Sequence, residues 1–346
     1  MSTTKTNILI TGSTGYIGGS VLTRFLNRSD IASLNITALV RSPEKAEKLK
    51  ALGVNAVVGS HSDSALVEKL ASEADVVLST ADADHLEAAQ ATLKGLKKRY
   101  NATGNVPVFI HTSGTGVLAD NAVGAYATDT IYDDSNPDQI ETLTPSQPHR
   151  NVDLELVNAD KQGYVKTYII LPSTIYGIAS GKLVDHGIQN RYSIQIPALI
   201  DASLDRGAGG MVGEGKNLWP NVNVDDVADL FLVLYDAIRS NPATGHGREG
   251  FYFGENGEHN LYEVGKAVGK ALVEIGKAKS DEPTTFTKEE IDKYFGGSPY
   301  LGSNSRCRAN RSRAIGWKPT KTTADMLASV KLEVEASLNR KPIPLR

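Results

Sequence analysis

The stretch Thr11-Gly-Ser-Thr-Gly-Tyr-Ile-Gly-Gly19 follows an apolar run, Asn7 to Ile10, and precedes a helical pattern. In a turn from strand to helix, Gly12 allows the tight bend, Gly15 lets a pyrophosphate approach the backbone, and Gly18 lets the helix pack against the strand. The phosphates bind at the positive N-terminal end of such a helix. The stretch therefore predicts a dinucleotide site, to which we assign Gly12, Thr14, Gly15, Tyr16, Ile17 and Gly18.

The end of the second predicted strand distinguishes NAD from NADP. An acidic residue there binds the ribose of NAD, whereas an arginine accommodates the 2′-phosphate of NADP. This chain has Arg41-Ser42-Pro43 at that point, and no Asp or Glu occurs from Ile31 through Pro43. Arg41 offers two parallel donors to a phosphate, Ser42 offers a hydroxyl, and Lys45 follows within one turn. The pattern favours NADP(H). Ser42 also fits the N-cap of the following helix, and that role leaves the Arg41 guanidinium free to bind a phosphate.

Composition is typical of a soluble globular chain. The 346 residues are 40% hydrophobic and 22% charged, which allows a sizeable core in one large domain or two joined ones. A net charge of −3 gives no electrostatic reason to expect nucleic acid or a membrane surface as a partner. The single Cys307 cannot form an internal disulfide, which favours a reducing compartment. No apolar stretch approaches a membrane span, and the polar residues Met1 to Thr6 leave no room for a signal peptide, so we expect a cytoplasmic protein.

Six predicted strands alternate with helical patterns. The strands are Asn7 to Ile10, Asn35 to Val40, Val54 to Val58, Asp75 to Thr80, Pro107 to His111 and Val165 to Leu171. Near-continuous apolar strands separated by helices predict a doubly wound α/β fold, with a parallel sheet covered on both faces. We expect residues 1–180 and 221–255 to form an NADP-binding Rossmann domain, and residues 181–220 and 256–346 a smaller, partly helical substrate region.

Two stretches interrupt this alternation. Ala119 to Gln147 is polar and acidic and contains proline, which predicts a lid or a surface excursion. Gly207 to Gly215 is rich in glycine and leads to Trp219, where it would help to shape a substrate cleft.

The chain resembles the extended and atypical short-chain dehydrogenase/reductases, including their NmrA-like branch. Four segments carry the resemblance, in order over about 220 residues: Thr11 to Gly19, Ala38 to Pro43, Leu171 to Gly177, and Val222 to Ala228. The third resembles the sixth-strand segment that ends in Tyr-Gly, and the fourth resembles the Val-Asp-Asp-Val-Ala helix start. The resemblance implies a Rossmann fold and a nicotinamide cofactor.

The resemblance also implies further cofactor contacts at the ends of the strands. Ser60 and His61 would lie near the adenine. The segment Thr80, Ala81 and Asp82 would pass the nicotinamide ribose. Thr112 would add a contact at the end of the fifth strand. At the end of the sixth strand, Pro172, Ser173 and Thr174 would lie beneath the carboxamide of the nicotinamide. Each of these positions also fits an ordinary turn after a strand.

The chain departs from the family at the proton donor. Family enzymes place Tyr-x-x-x-Lys at the start of the helix before the sixth strand, where the lysine lowers the tyrosine pKa. The corresponding window here, Ser146 to Glu155, contains neither residue type. The only literal match, Tyr262-Glu-Val-Gly-Lys266, lies on a later helix whose pattern core packing explains.

Three replacements for this donor are open. His149 has a side-chain type that titrates near neutral pH, although it also fits a polar helix start. Tyr176 lies in the sixth-strand motif, where tyrosines are often structural. Ser113, with Thr115 nearby, ends the fifth strand, although Gly114 lies nearest the usual position of the catalytic hydroxyl.

These observations favour an NADPH-dependent reductase of a small organic carbonyl compound or activated alkene. The alternative is a non-catalytic NADP(H) sensor of the NmrA-like type, which the missing Tyr-x-x-x-Lys pair favours. A third hypothesis is sugar-nucleotide epimerisation or dehydration. Arg41 disfavours it, because that chemistry usually uses tightly held NAD, whereas Arg41 favours NADP. The seven histidines lack ligand spacing, so no metal site is predicted. We expect a small-molecule substrate and consider a homodimer.

Overall fold

A computed structural model describes residues 5–345 of the chain. Residues 1–4 and 346 lie outside it. The expectation about a signal peptide was based on Met1 to Thr6, so most of that segment lies outside the described residues. The described residues form these strands: β1 Thr6–Thr11, β2 Leu34–Val40, β3 Asn55–Val58, β4 Val76–Ser79, β5 Val108–Thr112, β6 Tyr132–Asp133, β7 Lys166–Pro172, β8 Thr174–Tyr176, β9 Gly210–Met211, β10 Leu218–Asn223, β11 Phe251–Gly254, β12 Glu258–Asn260, β13 Thr284–Thr285 and β14 Cys307–Arg308.

Helices separate most of these strands. They are α1 Tyr16–Leu26, α2 Pro43–Ala51, α3 Ser64–Ser72, α4 Leu86–Thr103, α5 Pro137–Glu141, α6 Arg150–Lys161, α7 Lys182–Asp185, α8 Gln195–Arg206, α9 Val224–Ser240, α10 Leu261–Glu274, α11 Lys288–Phe295, α12 Asn310–Ala314 and α13 Thr323–Ser337. Two groups of them pack beside the main sheet, α1 with α9, and α4 with α3 and α6.

The main sheet has seven parallel strands in the order β11-β7-β5-β4-β1-β2-β3. The doubly wound α/β fold is therefore confirmed, and all six predicted strands belong to this sheet. The seventh, β11, was not predicted; it is a short aromatic run, Phe-Tyr-Phe-Gly, that pairs with β7 at the edge. The order reverses between β1 and β4, and ligands of such sheets bind outside the carboxyl ends of the strands at that point.

A second hydrophobic core lies outside the main sheet. It joins α8, α10 and α13 with parts of β8 and of the segments 210–212, 286–295 and 301. Two small sheets accompany it, β12-β10-β8 and β13-β9. Cys307, Ala309 and Trp317 nevertheless pack in the core of the main sheet. The predicted division into two regions remains a proposal.

The excursion from Ala119 to Gln147 is tied to the C-terminal part of the chain. Strand β6 within it pairs with β14, and the buried Asp134 accepts hydrogen bonds from the backbone N–H groups of Phe253 and Arg311. These contacts hold the excursion against the edge strand β11 and against α12.

The turn after β1 depends on the absence of a side chain at Gly12. Its φ is +76°, and a Cβ there would lie 2.5 Å from the carbonyl carbon of Thr80. Gly53 offers a control, because its φ is +84° but a Cβ would meet no atom within 4 Å.

We expect Gly12→Ala to lower the free energy of unfolding by about 2–5 kcal/mol, since it adds a steric clash to the cost of a left-handed alanine. Gly53→Ala should cost only about 1–2 kcal/mol, the conformational part. Urea unfolding of both variants measures the difference. Equal losses would show that the close approach to Thr80 is not what constrains this turn.

Candidate functional site

The glycine turn presents an open helix end. Gly15 precedes α1 with no side-chain cap, and the first turn carries no acidic residue. A Cβ on Gly15 would approach only the carbonyl oxygen of Gly12, at 3.1 Å, whereas a Cβ on Gly18 would collide with Thr80 and Gly12. Gly18 is thus needed for packing, while Gly15 keeps free the space in front of the N-terminal N–H groups. This arrangement fits the phosphates of a dinucleotide.

The residues predicted to select NADP form a basic group at the end of β2. Arg41 is exposed, and the Ser42 hydroxyl accepts a hydrogen bond from the backbone N–H of Lys45, which confirms the helix cap. Burial lowers the pKa of Lys45 and of His61, and the positive charge of Arg41 lowers both further. Arg41 therefore lies close enough to both Lys45 and His61 for its charge to act on them, as expected where an anion would bind.

Several other predicted cofactor residues use their side chains within the backbone turns. The hydroxyl of Thr80 donates to the carbonyl oxygen of Thr11 at 2.7 Å, and that of Thr112 donates to Ser79 at 2.8 Å. Three others behave alike: the Ser60 hydroxyl accepts from the backbone N–H of Ser62, the Asp82 carboxylate accepts from the backbone N–H of Asp84, and the Ser173 hydroxyl donates to the carbonyl oxygen of Gly254. Thr14 is held by its backbone instead, because its carbonyl oxygen accepts from the N–H of Asn190. Any contact of these residues with a cofactor would come mainly from their backbone.

A cleft of about 1070 Å³, including its open mouth, lies beside this turn. It brings together seven of the predicted cofactor residues and one predicted catalytic residue. Its lining consists of Gly15, Tyr16, Ile17, Thr80, Ala81, Gly114, Thr115, Gly116, His149, Pro172, Ser173, Ile175, Asn190, Tyr192, Ser193, Ile194, Gln195, Trp219 and Tyr300. Thr174 lies behind the cleft rather than in its lining.

His149 is held by a carboxylate and points into this cleft. It precedes α6 in the left-handed conformation, with a φ of +66°. Its Nδ1 lies 2.7 Å from Oδ1 of Asp84, and its backbone N–H donates to the same oxygen at 3.1 Å. The bond to a carboxylate places a proton on Nδ1, so Nε2 remains for another partner. Cβ atoms on Gly114 and Gly116 would lie 3.2 and 3.3 Å from that Nε2.

The environment of His149 favours its charged form. Burial lowers the pKa of the imidazole, but the hydrogen bond and charge of Asp84, together with the charges of Asp153 and Asp82, outweigh this and raise it above its ordinary value. In turn, the hydrogen bond from His149 lowers the pKa of Asp84. Asp84 was not predicted, although it lies only two residues beyond Asp82 in the segment after β4.

Tyr300 is a second side chain that the sequence analysis missed. A Cβ on Gly116 would collide with its hydroxyl and would lie 3.3 Å from Nε2 of His149, so the two polar atoms face the same small space. Burial and the charge of Asp84 raise the pKa of this hydroxyl, which therefore stays protonated. Nearly two hundred residues separate Tyr300 from Gly116, and no local motif marks it.

Two of the three predicted catalytic residues do not face the cleft. The Tyr176 ring is buried in the second core, and its hydroxyl donates to the carbonyl oxygen of Thr322 at 2.9 Å. We therefore assign Tyr176 a structural role. The hydroxyl of Ser113 donates to Asp153 at 3.2 Å beneath the cleft floor. Thr115 is better placed than Ser113, since it lines the cleft and its buried hydroxyl has no partner among the described residues.

Asp153 lies four residues after His149, the spacing of the tyrosine and lysine in the family motif. Its side chain is fully buried, and its Oδ1 has no hydrogen-bond partner in residues 5–345. Burial raises its pKa to about 7, against the opposing effects of the Ser113 hydrogen bond and the charge of His149. The i, i+4 spacing in the window from Ser146 to Glu155 was the signal that could have identified this pair.

Comparison with known proteins agrees with this geometry. Residues 8–246 match the model of a family described as the NAD dependent epimerase/dehydratase family. The chain belongs to this family. The match confirms the resemblance to extended short-chain dehydrogenase/reductases, while the NmrA-like subtype remains a prediction.

Relatives of this epimerase/dehydratase chain span nearly its whole length. A protein named Oxidase ucsJ, from Acremonium sp, is 29% identical over 337 residues, covering 90% of this chain and 92% of that protein. Among solved structures, a UDP-glucose 4-epimerase from Thermotoga maritima with UDP-glucose has a TM-score of 0.63 at 18% identity, covering 96% of this chain and 99% of that one. A dTDP-glucose 4,6-dehydratase from Bacillus anthracis in complex with NAD has a TM-score of 0.63 at 17% identity, covering 96% and 97%. These two structures share the fold.

In the part of the chain that the structure describes, no helix is both long and apolar enough to cross a membrane.

The buried carboxyl of Asp153 generates a prediction about pH. Since its pKa rises to about 7 on folding from an ordinary 3.8, only the folded state holds this proton between those pH values. The folded state then loses stability as the pH rises through that window, by up to about 1.4 kcal/mol per pH unit. Asp153→Asn cannot lose a proton, so its free energy of unfolding should rise relative to the wild type between pH 5 and pH 8. A constant difference in urea titrations at both pH values would contradict this.

Proposed function

We propose that this protein is an NADPH-dependent oxidoreductase that reduces a small organic carbonyl compound or an activated alkene. The observation that carries the proposal is Nε2 of His149, which faces the cleft beside the Tyr300 hydroxyl while Asp84 holds Nδ1. His149 would thus supply a proton donor in the cleft, although the helix that begins there lacks the family's Tyr-x-x-x-Lys pair.

The residues around the glycine turn fit a nicotinamide dinucleotide. The open space at Gly15 and the N–H groups at the start of α1 would hold the pyrophosphate, and Arg41, Lys45 and His61 would hold a 2′-phosphate. When bound in its reduced form, the cofactor supplies a hydride to carbon. The family description and the solved dehydratase with NAD support a nicotinamide cofactor, and the preference for NADP rests on the basic group.

His149 and Tyr300 would act on the substrate oxygen. The Tyr300 hydroxyl, which stays protonated, donates a hydrogen bond to the carbonyl and orients it. Protonated His149 donates the proton on Nε2 to that oxygen as its carbon is reduced. Asp84 acts through His149: it fixes the ring and stabilises the imidazolium. The relative named as an oxidase supports redox chemistry, because oxidation of an alcohol uses the same groups in reverse.

The cleft argues against a nucleotide-sugar substrate such as those in the solved relatives. The diphosphate of a substrate is commonly bound by Lys or Arg side chains, and none of the nineteen described residues that line the cleft is Lys or Arg. The lining instead includes Ile194, which is 54% exposed and offers apolar surface to a substrate.

The non-catalytic sensor remains the second candidate. The missing Tyr-x-x-x-Lys pair favoured it, but a sensor has no need of an imidazole oriented by a carboxylate at the substrate face of the cleft. Tight cofactor binding without turnover of any aldehyde, ketone, quinone or enone would favour the sensor.

The first test is mutation of the proton donor. His149→Gln should lower kcat for NADPH oxidation by about 100- to 10,000-fold, the usual contribution of a positioned acid. Tyr300→Phe should lower it less, and Tyr176→Phe, the matched control outside the cleft, should retain kcat. Stopped-flow absorbance of NADPH measures all three.

The pH profile separates these roles. Because the reduction uses protonated His149, the rate should fall as the pH rises through its pKa, which lies above the ordinary 6.5. Asp84→Asn removes the stabilising charge and should shift this fall to lower pH. An unshifted profile would exclude His149 as the acid.

The basic group generates a prediction about the cofactor. Arg41→Ala should weaken NADPH binding by about 10- to 100-fold, as expected for lost charge-assisted hydrogen bonds, and should leave NADH binding nearly unchanged. Lys48→Ala is the control: Lys48 lies on α2, the helix that follows Arg41, and pairs with Glu44 at 2.7 Å. Calorimetric titration with both cofactors measures the change, and equal weakening of both would contradict NADP selection.

A further inference from the structure

The last helix, α13, carries apolar residues on both of its sides. Its inner side places Met326, Val330 and Val334 in the second hydrophobic core. On its outer side, Leu332 is 61% exposed, the highest value among the exposed large hydrophobic residues that the structure describes. A surface helix normally turns polar residues toward water, so an apolar outer side needs a physical reason.

Leu332 belongs to a continuous outer face rather than standing alone. That face consists of the six residues of α13 that are exposed to solvent: Ala324, Asp325, Ala328, Lys331, Leu332 and Glu335. Ala324, Ala328 and Leu332 are spaced by four residues, so they form an apolar row along the helix. The two alanines in this row leave room for another helix to approach closely.

The apolar row complements a second copy of itself. When two identical helices pack antiparallel across a two-fold axis, each residue meets the residue that lies equally far from the axis in the opposite direction. With Ala328 on the axis, Leu332 of one copy lies opposite Ala324 of the other. A large side chain then faces a small one at both ends of the contact, as close packing requires.

The charges of the face complement one another in this same arrangement. Asp325 of one copy lies opposite Lys331 of the other, and Glu335 lies opposite Lys321, which is exposed just before the helix. Because of the two-fold axis, each of these two pairs of opposite charges forms twice. Lys331 pairs with Glu274 of its own chain at 2.6 Å, whereas Lys321 and Glu335 form no ion pair within residues 5–345.

Other arrangements of the two helices bring like charges together. A shift of one helical turn in one direction places Lys321 opposite Lys331, and a shift in the other direction places Asp325 opposite Glu335. A parallel pair would place each charged residue beside its own copy. Like charges at such distances are destabilising, so the charges favour the antiparallel arrangement about Ala328 over its neighbours.

We propose that the outer face of α13 is a contact between two copies of this chain, packed antiparallel across a two-fold axis at Ala328. A single pair of helices buries less surface than a standard interface, so the dimer is weak, with a dissociation constant in about the micromolar range. The inference does not depend on the proposed function, since no residue of this face lines the cleft.

Sedimentation velocity at protein concentrations on either side of this constant tests the contact. We expect a dimer that dissociates on dilution. Leu332→Arg should weaken it at least about 100-fold, because a central apolar contact is replaced by a charge. Val106→Arg, at a residue that is 41% exposed and lies before β5, is the matched control and should leave the dimer intact. A monomer at every concentration, or a dimer that Leu332→Arg does not weaken, would overturn the proposal.

A charge exchange tests the antiparallel arrangement. Glu335→Lys alone and Lys321→Glu alone each place like charges opposite one another, and each should weaken the dimer about 10-fold. The double variant restores opposite charges and should recover most of the lost affinity. Damage to the fold cannot produce such a recovery. If the double variant dimerised no better than the single ones, the proposed contact would be wrong.

Discussion

The close contact between the first turn and the end of β4 is the constraint on which both fold and site depend. Gly12 and Gly18 leave so little room that a single methyl group on either would collide with Thr80 or with the turn itself. This contact fixes α1 over the sheet, and it leaves the start of α1 facing the point where the strand order reverses. Asp82 and Asp84 follow Thr80 in the segment after β4. Because the contact holds the start of this segment, it also positions the Asp84 carboxylate that orients His149. The geometry of the site in the cleft therefore depends on close packing at this turn.

The sequence was sufficient for the parts of the molecule that local patterns determine. Apolar runs and helical periodicity identified six of the seven sheet strands, and the glycine spacing located the open helix end at Gly15. Strand β11 was not predicted, because it lies beyond the regular alternation of strands and helices that identified the other six. The cofactor side of the cleft follows from the strand ends in the same way, since parallel strands bring their carboxyl ends to one edge.

The substrate side could be found only in part by such reasoning. His149 and the segment that leads to Trp219 were expected there and line the cleft, but Tyr300 reaches the ring of Trp219, at 5.5 Å between centroids, from a distant part of the chain that no local pattern marks. Tyr176 illustrates the opposite error: its motif is recognisable, but its hydroxyl is taken up by the backbone of Thr322. A side chain's type and its place in a motif do not determine which way it points, because that depends on partners far away in sequence.

In the proposed mechanism, the replacement of the family's donor pair follows from the sign of a pKa shift. A phenol has a pKa well above neutral, so a neighbouring lysine is needed to lower it. An imidazole begins near 6.5, and a neighbouring cation would lower it away from the range in which it can donate a proton. The chain instead places carboxyl groups around His149: Asp84 at hydrogen-bond distance, and Asp153 four residues on, where the motif has lysine. In the proposed site, both arrangements bring a proton donor toward neutral pH from opposite sides. Exchanging the tyrosine for histidine therefore calls for a carboxylate partner, here chiefly Asp84, instead of a lysine.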